Sequence, residues 1–299
     1  MKLLNNKKYW VNGGIDEMKH EETLWHAKDG TPLYANKWEP EGSVKGIICL
    51  VHGLGEHSGR YVHWAEMLTD SGYAVFANDQ RGHGRSGGKR GHTPSFNHLA
   101  DDVEILMQEG MMAYPVAPCF LYGHSLGGLI ALYYLVQRRP KIAGAVITSP
   151  ALKTAVEDQK VKRTLALILG SLVPGGTMAS GLEQEALSKD HGVIEAYRND
   201  PLVHDQISFG LGRESLKAAE FIYANAGQID IPILLMHGTA DGICYVSGVK
   251  ELSGLIADKC TLTLWEDCFH ELHNEPEKEE VFSALKQWLD QHTAESAQA

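Results

Sequence analysis

Apolar residues run almost unbroken through Gly46-Ile47-Ile48-Cys49-Leu50-Val51-His52, and again at 73–77, 118–122, 142–148, 231–236 and 260–265. Short dense runs of this kind predict strands buried on both faces, as in a parallel sheet. Between them the period changes. At 96–112, Leu99, Val103, Leu106 and Met107 fall on one stripe, which predicts an amphipathic helix. Segments 61–71, 126–139, 247–256 and 278–291 read as helices in the same way. Alternating strand and helix predicts an α/β fold with a mostly parallel central sheet flanked by helices. Near the start, two short segments at 22–27 and 33–37 flank Asp29-Gly30, a hairpin signal.

The alternation stops near Pro150. From 151 to 228 no strand pattern is expected. Helical fragments and turn signals dominate there, among them Pro174-Gly175-Gly176, Gly210 and Gly212. The chain therefore reads as one core, 1–150 plus 229–299, carrying a helical insertion at 151–228. The small polar residues at 292–299 are expected to trail off without structure.

Composition narrows the function classes. Acidic residues number 38 and basic ones 27, a net charge of −11, and no Lys/Arg run exceeds a pair. A nucleic-acid partner is not expected, because gripping phosphates needs a basic face. The five cysteines (Cys49, Cys119, Cys244, Cys260, Cys268) are an odd number without paired spacing, which favours free thiols in a reducing compartment. The N-terminus is basic, Met1-Lys2 through Lys7-Lys8, but no signal-like apolar stretch follows. The longest apolar candidate outside the strands, 165–173, is far short of the roughly 18 residues of a membrane span. A cytoplasmic protein is expected.

The candidate chemistry begins at Gly123-His124-Ser125-Leu126-Gly127-Gly128, between a predicted strand and a predicted helix. A Gly-x-Ser-x-Gly in that context is a nucleophile elbow, a sharp turn that needs small neighbours and leaves the serine hydroxyl exposed. His52-Gly53-Leu54-Gly55-Glu56-His57 closes an earlier strand in the same way. The backbone N–H groups of Leu54 and Leu126 are then placed to form an oxyanion hole. A serine also needs a base and an acid to orient it, here in the chain order Ser, Asp or Glu, His. Asp241 follows the strand at 231–236 and His270 follows the strand at 260–265. His273 competes with His270, which is preferred as nearer the strand end; Asp267 is the weaker acid because it shares the histidine's loop. His270-Glu271-Leu272-His273 lacks the four-residue histidine spacing of a zinc helix, so no metal is expected. No cofactor is expected either.

Together these segments, with Asn78-Asp79-Gln80-Arg81-Gly82-His83-Gly84-Arg85-Ser86 and His237-Gly238-Thr239-Ala240-Asp241, resemble the monoacylglycerol lipase / lysophospholipase group of α/β-hydrolases over about 22–289. The resemblance implies a triad of Ser125, Asp241 and His270, oxyanion donors at Leu54 and Leu126, and a cap formed by the insertion. It also implies a cysteine at the alcohol end of the pocket, which Cys244 matches. The loop 79–86 reads as structural. Within the insertion, Leu165-Ala166-Leu167-Ile168-Leu169 and Leu172-Val173 form an apolar cluster. Leu167 and Leu169 there fit an acyl-chain wall, a surface in transient contact with membrane or lipid aggregates, or ordinary packing of a cap helix. The expected activity is hydrolysis of monoacylglycerols or similar lipid monoesters. A broader carboxylesterase or lysophospholipase is the alternative; outside catalysis, a silent ligand-binding module that keeps the fold. Serine at position 125 argues against dehalogenases and epoxide hydrolases, which place Asp there.

Overall fold

The structure, a computed structural model, describes residues 18–154 and 160–296. The basic N-terminal stretch lies outside the described residues, as do the side chains of Leu165 and Ala166 in the cap cluster. Eight strands form one sheet in the order β1-β2-β4-β3-β5-β6-β9-β10. These are β1 (Lys19–His26), β2 (Pro32–Glu39), β3 (Gly46–Val51), β4 (Tyr73–Asn78), β5 (Cys119–His124), β6 (Gly144–Thr148), β9 (Ile233–Gly238) and β10 (Cys260–Trp265). The expected hairpin is β1–β2, paired antiparallel from Lys19↔Glu39 to His26↔Pro32. β2 also runs antiparallel to β4, and every pairing from β4 to β10 is parallel.

The continuous apolar runs are explained by helices on both faces. Alternate residues of one strand go to opposite sides. Ile47, Cys49 and Val51 join one core cluster, and Ile48 and Leu50 the other. On the first face lie α2 (Phe96–Ala113), α3 (Leu126–Arg138) and α7 (Val246–Leu255); on the second lie α1 (Val62–Asp70) and α8 (Lys278–Ser296). The predicted stripe of α2, Leu99 with Val103, Leu106 and Met107, is buried throughout.

The insertion holds α4 (Lys160–Leu172), α5 (His191–Asn199) and α6 (Phe209–Asn225). Three expectations are corrected. A two-stranded antiparallel ribbon, β7 (Thr177–Ala179) with β8 (Gln206–Ser208), lies in the segment where no strand was expected. Three residues are too few to show a period of two, so the pattern was silent. Gly210 and Gly212 are not turns but sit in the first turn of α6, which Ser208 caps by accepting from the Leu211 amide at 3.0 Å. Gly210 is there for closeness: a Cβ on it would lie 2.8 Å from the Pro174 carbonyl oxygen. Finally, α8 carries on through His292 to Ser296 instead of fraying, with His292 bonded to the Trp288 carbonyl at 2.8 Å and packed on the Trp288 ring.

β3 is flanked by β4 on one side and β5 on the other, so the chain reverses its direction of travel across the sheet there. Open α/β sheets bind ligands in the crevice beyond the carboxyl ends of such strands.

Candidate active site

The turn after β5 carries Ser125 at φ 55 and ψ −120, a conformation that residues other than glycine seldom adopt. Three backbone contacts fix it. The Ser125 amide donates to the Thr148 carbonyl at 3.0 Å, and its carbonyl accepts from Leu129 at 3.0 Å and Ala151 at 3.1 Å. The glycine two residues on is required by space, since a Cβ on Gly127 would sit 2.1 Å from the Val51 carbonyl oxygen and 2.3 Å from that of His52. This contact presses the elbow against the end of β3.

The predicted partners meet at Ser125. His270 Nε2 lies 2.9 Å from Ser125 Oγ, and His270 Nδ1 lies 2.8 Å from Asp241 Oδ2. They arrive from the carboxyl ends of β5, β9 and β10, as the sequence order required. The Asp241 carboxylate is fixed within its own loop, because its other oxygen accepts from the Ile243 amide at 2.8 Å and the Cys244 amide at 2.9 Å. Burial alone would raise the Asp241 carboxyl; the charge and hydrogen bond of His270, with His237 and the Cys244 amide, outweigh it and hold the carboxyl below its ordinary range. For His270 burial works the other way, and Asp241 overcomes it, so the imidazole stands above its ordinary value.

His273, the rival base, is fully buried away from the hydroxyl and stacks on Tyr61 at 4.5 Å. Burial drives its pKa down to about 3. Asp267 is exposed in a turn at φ 55 and does not join the cluster. Cys244 is buried, and its backbone N–H donates to Asp241 Oδ1.

A small cavity of about 10 Å³ opens at Ser125 and His270, lined also by Leu54, Glu56, His124, Leu182, Leu187, Tyr197 and Glu271. Leu54 was expected here. Leu182, Leu187 and Tyr197 come from the insertion and carry no local sequence signal that would have marked them. Leu167 and Leu169, half-buried on α4, are not among the lining residues, nor is Cys244. The insertion is fastened over the cavity from several sides. The His204 amide donates to the Gly55 carbonyl at 2.9 Å, the Glu271 amide to the Leu187 carbonyl at 2.8 Å, and His57 Nε2 pairs with Asp200 Oδ2 at 2.8 Å. Gly55 has φ 79, and a Cβ on it would lie 2.4 Å from the His204 carbonyl oxygen. The loop that carries Leu54 is thus moulded to the insertion.

The loop at 79–86 is tied down by Asp79. Asp79 Oδ1 accepts from the Ser58 amide at 2.9 Å, and its other oxygen from the Arg85 amide at 2.8 Å. Among the described residues, Cys268, Glu275 and Glu277 bring ligand-type atoms within 4.8 Å of one another. Lys189 Nζ sits among them, 2.6 Å from Glu277 Oε1 and 3.5 Å from Glu275 Oε2, so an ammonium already supplies the positive charge.

Comparison with known proteins agrees with this geometry. The family model Hydrolase_4, described as serine aminopeptidase S33, matches residues 42–277. Monoglyceride lipase of Homo sapiens is 34% identical over 278 residues, 91% of this chain and 91% of that protein. An abhydrolase domain-containing protein of Dictyostelium discoideum is 37% identical over 265 residues, 87% of this chain, and the chain spans 28% of that protein's length. The crystal structure of Paleococcus ferrophilus monoacylglycerol lipase matches with a TM-score of 0.80 at 37% identity, covering 87% of this chain and 99% of that one. With a mostly parallel eight-stranded sheet, a serine elbow and these matches, the chain belongs to the serine aminopeptidase S33 family and, with its monoglyceride lipase relatives, to the α/β-hydrolase superfamily.

Proposed function

We propose that this chain is a serine carboxylic-ester hydrolase that cleaves monoacylglycerols to fatty acid and glycerol through an acyl-enzyme. The observation that carries the reading is the unbroken hydrogen-bonded line from Ser125 Oγ through His270 to Asp241. Ser125 Oγ attacks the ester carbonyl while His270 Nε2 takes its proton. Asp241 holds the ring by Nδ1 and supports the imidazolium. The Leu54 and Leu126 amides receive the oxyanion, each donor of this kind contributing on the order of 3 kcal/mol. His270 then protonates the departing glycerol oxygen, and water activated by the same ring releases the fatty acid. The monoglyceride lipase relatives supply the substrate class.

Residues 151–228 act as the cap. Leu182 and Leu187 give the cavity an apolar wall, and Tyr197 a polar one. Ile168 and Leu172 on α4, Val173 just after it and Met178 on β7, all exposed, form the face through which the cap touches lipid aggregates transiently. Among the described residues no helix is long and apolar enough to cross a membrane. Leu167 and Leu169, which do not line the cavity, meet long acyl chains beyond it: Leu167→Ser or Leu169→Ser lowers turnover of long-chain monoesters more than of acetate esters, and equal loss on both removes them from that role.

The test of the whole reading is Ser125→Ala. Fluorophosphonate labelling disappears, and turnover of a monoacylglycerol falls by about 10⁴-fold or more with the fold intact. Retained labelling or turnover overturns the assignment.

A further inference from the structure

A buried charge cluster that the triad does not use lies beside it. Arg60 Nη1 donates to Glu56 Oε2 at 2.7 Å and to Glu271 Oε1 at 2.7 Å, while Nη2 donates to Glu271 Oε2 at 2.7 Å. The forked bond ties the loop that carries His270 to the loop that carries Leu54. Glu56 Oε1 in turn accepts from the Gly53 amide at 2.6 Å and from Tyr61 Oη at 2.8 Å, and Glu271 Oε2 accepts from Asn274 Nδ2 at 2.7 Å. The Tyr197 ring of the cap covers the guanidinium at 4.8 Å. The side chains of Arg60, Glu56 and Glu271 are 9%, 3% and 2% exposed.

A tie between two loops needs one carboxylate and one guanidinium. This cluster has two carboxylates, so it carries a surplus negative charge in a nearly dry site, and Glu271 adjoins His270 in sequence. A buried net charge is costly unless positive charge stands or develops near it. In the first step of the reaction His270 becomes an imidazolium.

We infer that Glu271 is a positioning residue: clasped by Arg60 together with Glu56, it supports the protonated His270 and fixes the oxyanion loop relative to it. The inference rests on the reading of Ser125, His270 and Asp241 as the triad. The groups that face His270 are Asp241 and His237 at the end of β9, His124 at the end of β5, Glu271 and His273 in its own loop, Glu56 and Arg60 from the oxyanion loop, and Tyr197 from the cap. Burial lowers the pKa of His237, His124 and His273, so these rings stay neutral near pH 7. Arg60 opposes the effect and is outnumbered by Asp241, Glu56 and Glu271. Against the cost of burial, Asp241 first and then Glu271 and Glu56 favour the charged ring.

The experiment is the pH dependence of kcat/KM on a soluble short-chain ester for the full chain, Glu271→Gln and Arg60→Lys, with fluorophosphonate labelling of each. Glu271→Gln keeps the shape and removes the charge. Its acid limb is expected to move down by about half a pH unit or more, since a unit charge at this range in a poorly screened site is worth that much. Arg60→Lys keeps all the charges and loses the fork, so its rate falls with the limb in place. An unmoved limb in labelled Glu271→Gln, or an equal shift in Arg60→Lys, overturns the inference. Should Glu271→Gln fail to fold, Glu56→Gln carries the same expectation. Failure of the triad reading looks different: turnover and labelling would survive Ser125→Ala.

Discussion

A side chain at φ 55 stores strain, and Ser125 keeps it because its neighbours leave no other path. The Gly127 contact with β3 makes this testable. Gly127→Ala places a methyl against two backbone carbonyls that cannot swing aside. The variant is expected to lose about 1–3 kcal/mol of stability and most of its activity, measured by urea denaturation and ester turnover. A variant as stable and active as the parent would falsify the packed elbow. Asp241 offers a second test at this scale. Asp241→Asn lowers kcat by about 10⁴-fold, because the imidazole loses both its orientation and its counter-charge. The sign of the accompanying pH effect follows from His270. The ring must be neutral to accept a proton, and its pKa stands above 6.5, so activity fades as pH falls through that raised value. Without the aspartate the limb moves to lower pH; a limb that moves up, or stays, contradicts the assignment of Asp241. The motif residues were legible because their spacing is local: Gly123, Ser125 and Gly127 sit within one turn. The Arg60–Glu271 bond was not, since 211 positions separate the partners and only the folded sheet brings them together.

At the scale of elements, the sheet was readable because its central parallel strands are buried on both faces and so are apolar over most of their length, as β3, β4 and β5 are. The insertion was less readable. β7 and β8 are short and are separated by the 26 residues 180–205, so their pairing left no trace in either segment. Gly210 and Gly212 looked like a turn because glycine opposes helix on propensity, yet the Ser208 cap and the approach of Pro174 decide the matter for α6. Removing that cap makes the point measurable. Ser208→Ala also loses the bond to His92 Nδ1 at 2.9 Å, and it is expected to cost about 1 kcal/mol, read as a lower urea midpoint at unchanged slope. No change would mean that packing on α4 and α3 holds α6 without the cap.

For the whole molecule, buried neutral histidines set the response to acid. Burial lowers the pKa of His273 to about 3 and takes His83 and His124 well below their ordinary value of 6.5. Below pH 6.5 the unfolded chain binds protons that the folded chain refuses. Stability therefore is full above that pH and declines as pH falls from 6.5 toward 3. His273→Phe keeps the stacking on Tyr61 and is expected to flatten this decline in a series of denaturation midpoints. An unchanged slope would show that His273 is not among the groups responsible.

The seam between the insertion and the loop that carries Leu54, Gly55 to His204 on one side and His57 to Asp200 on the other, closes over a cavity of about 10 Å³. That is below the roughly 300–1,000 Å³ that encloses a drug-sized molecule. A long-chain ester therefore gets in, and its acid gets out, only when the seam parts, which makes bulky substrates pay a toll in solvent friction that small ones escape. Thickening the medium with sucrose should slow long-chain turnover in step with viscosity and leave acetate ester hydrolysis unaffected.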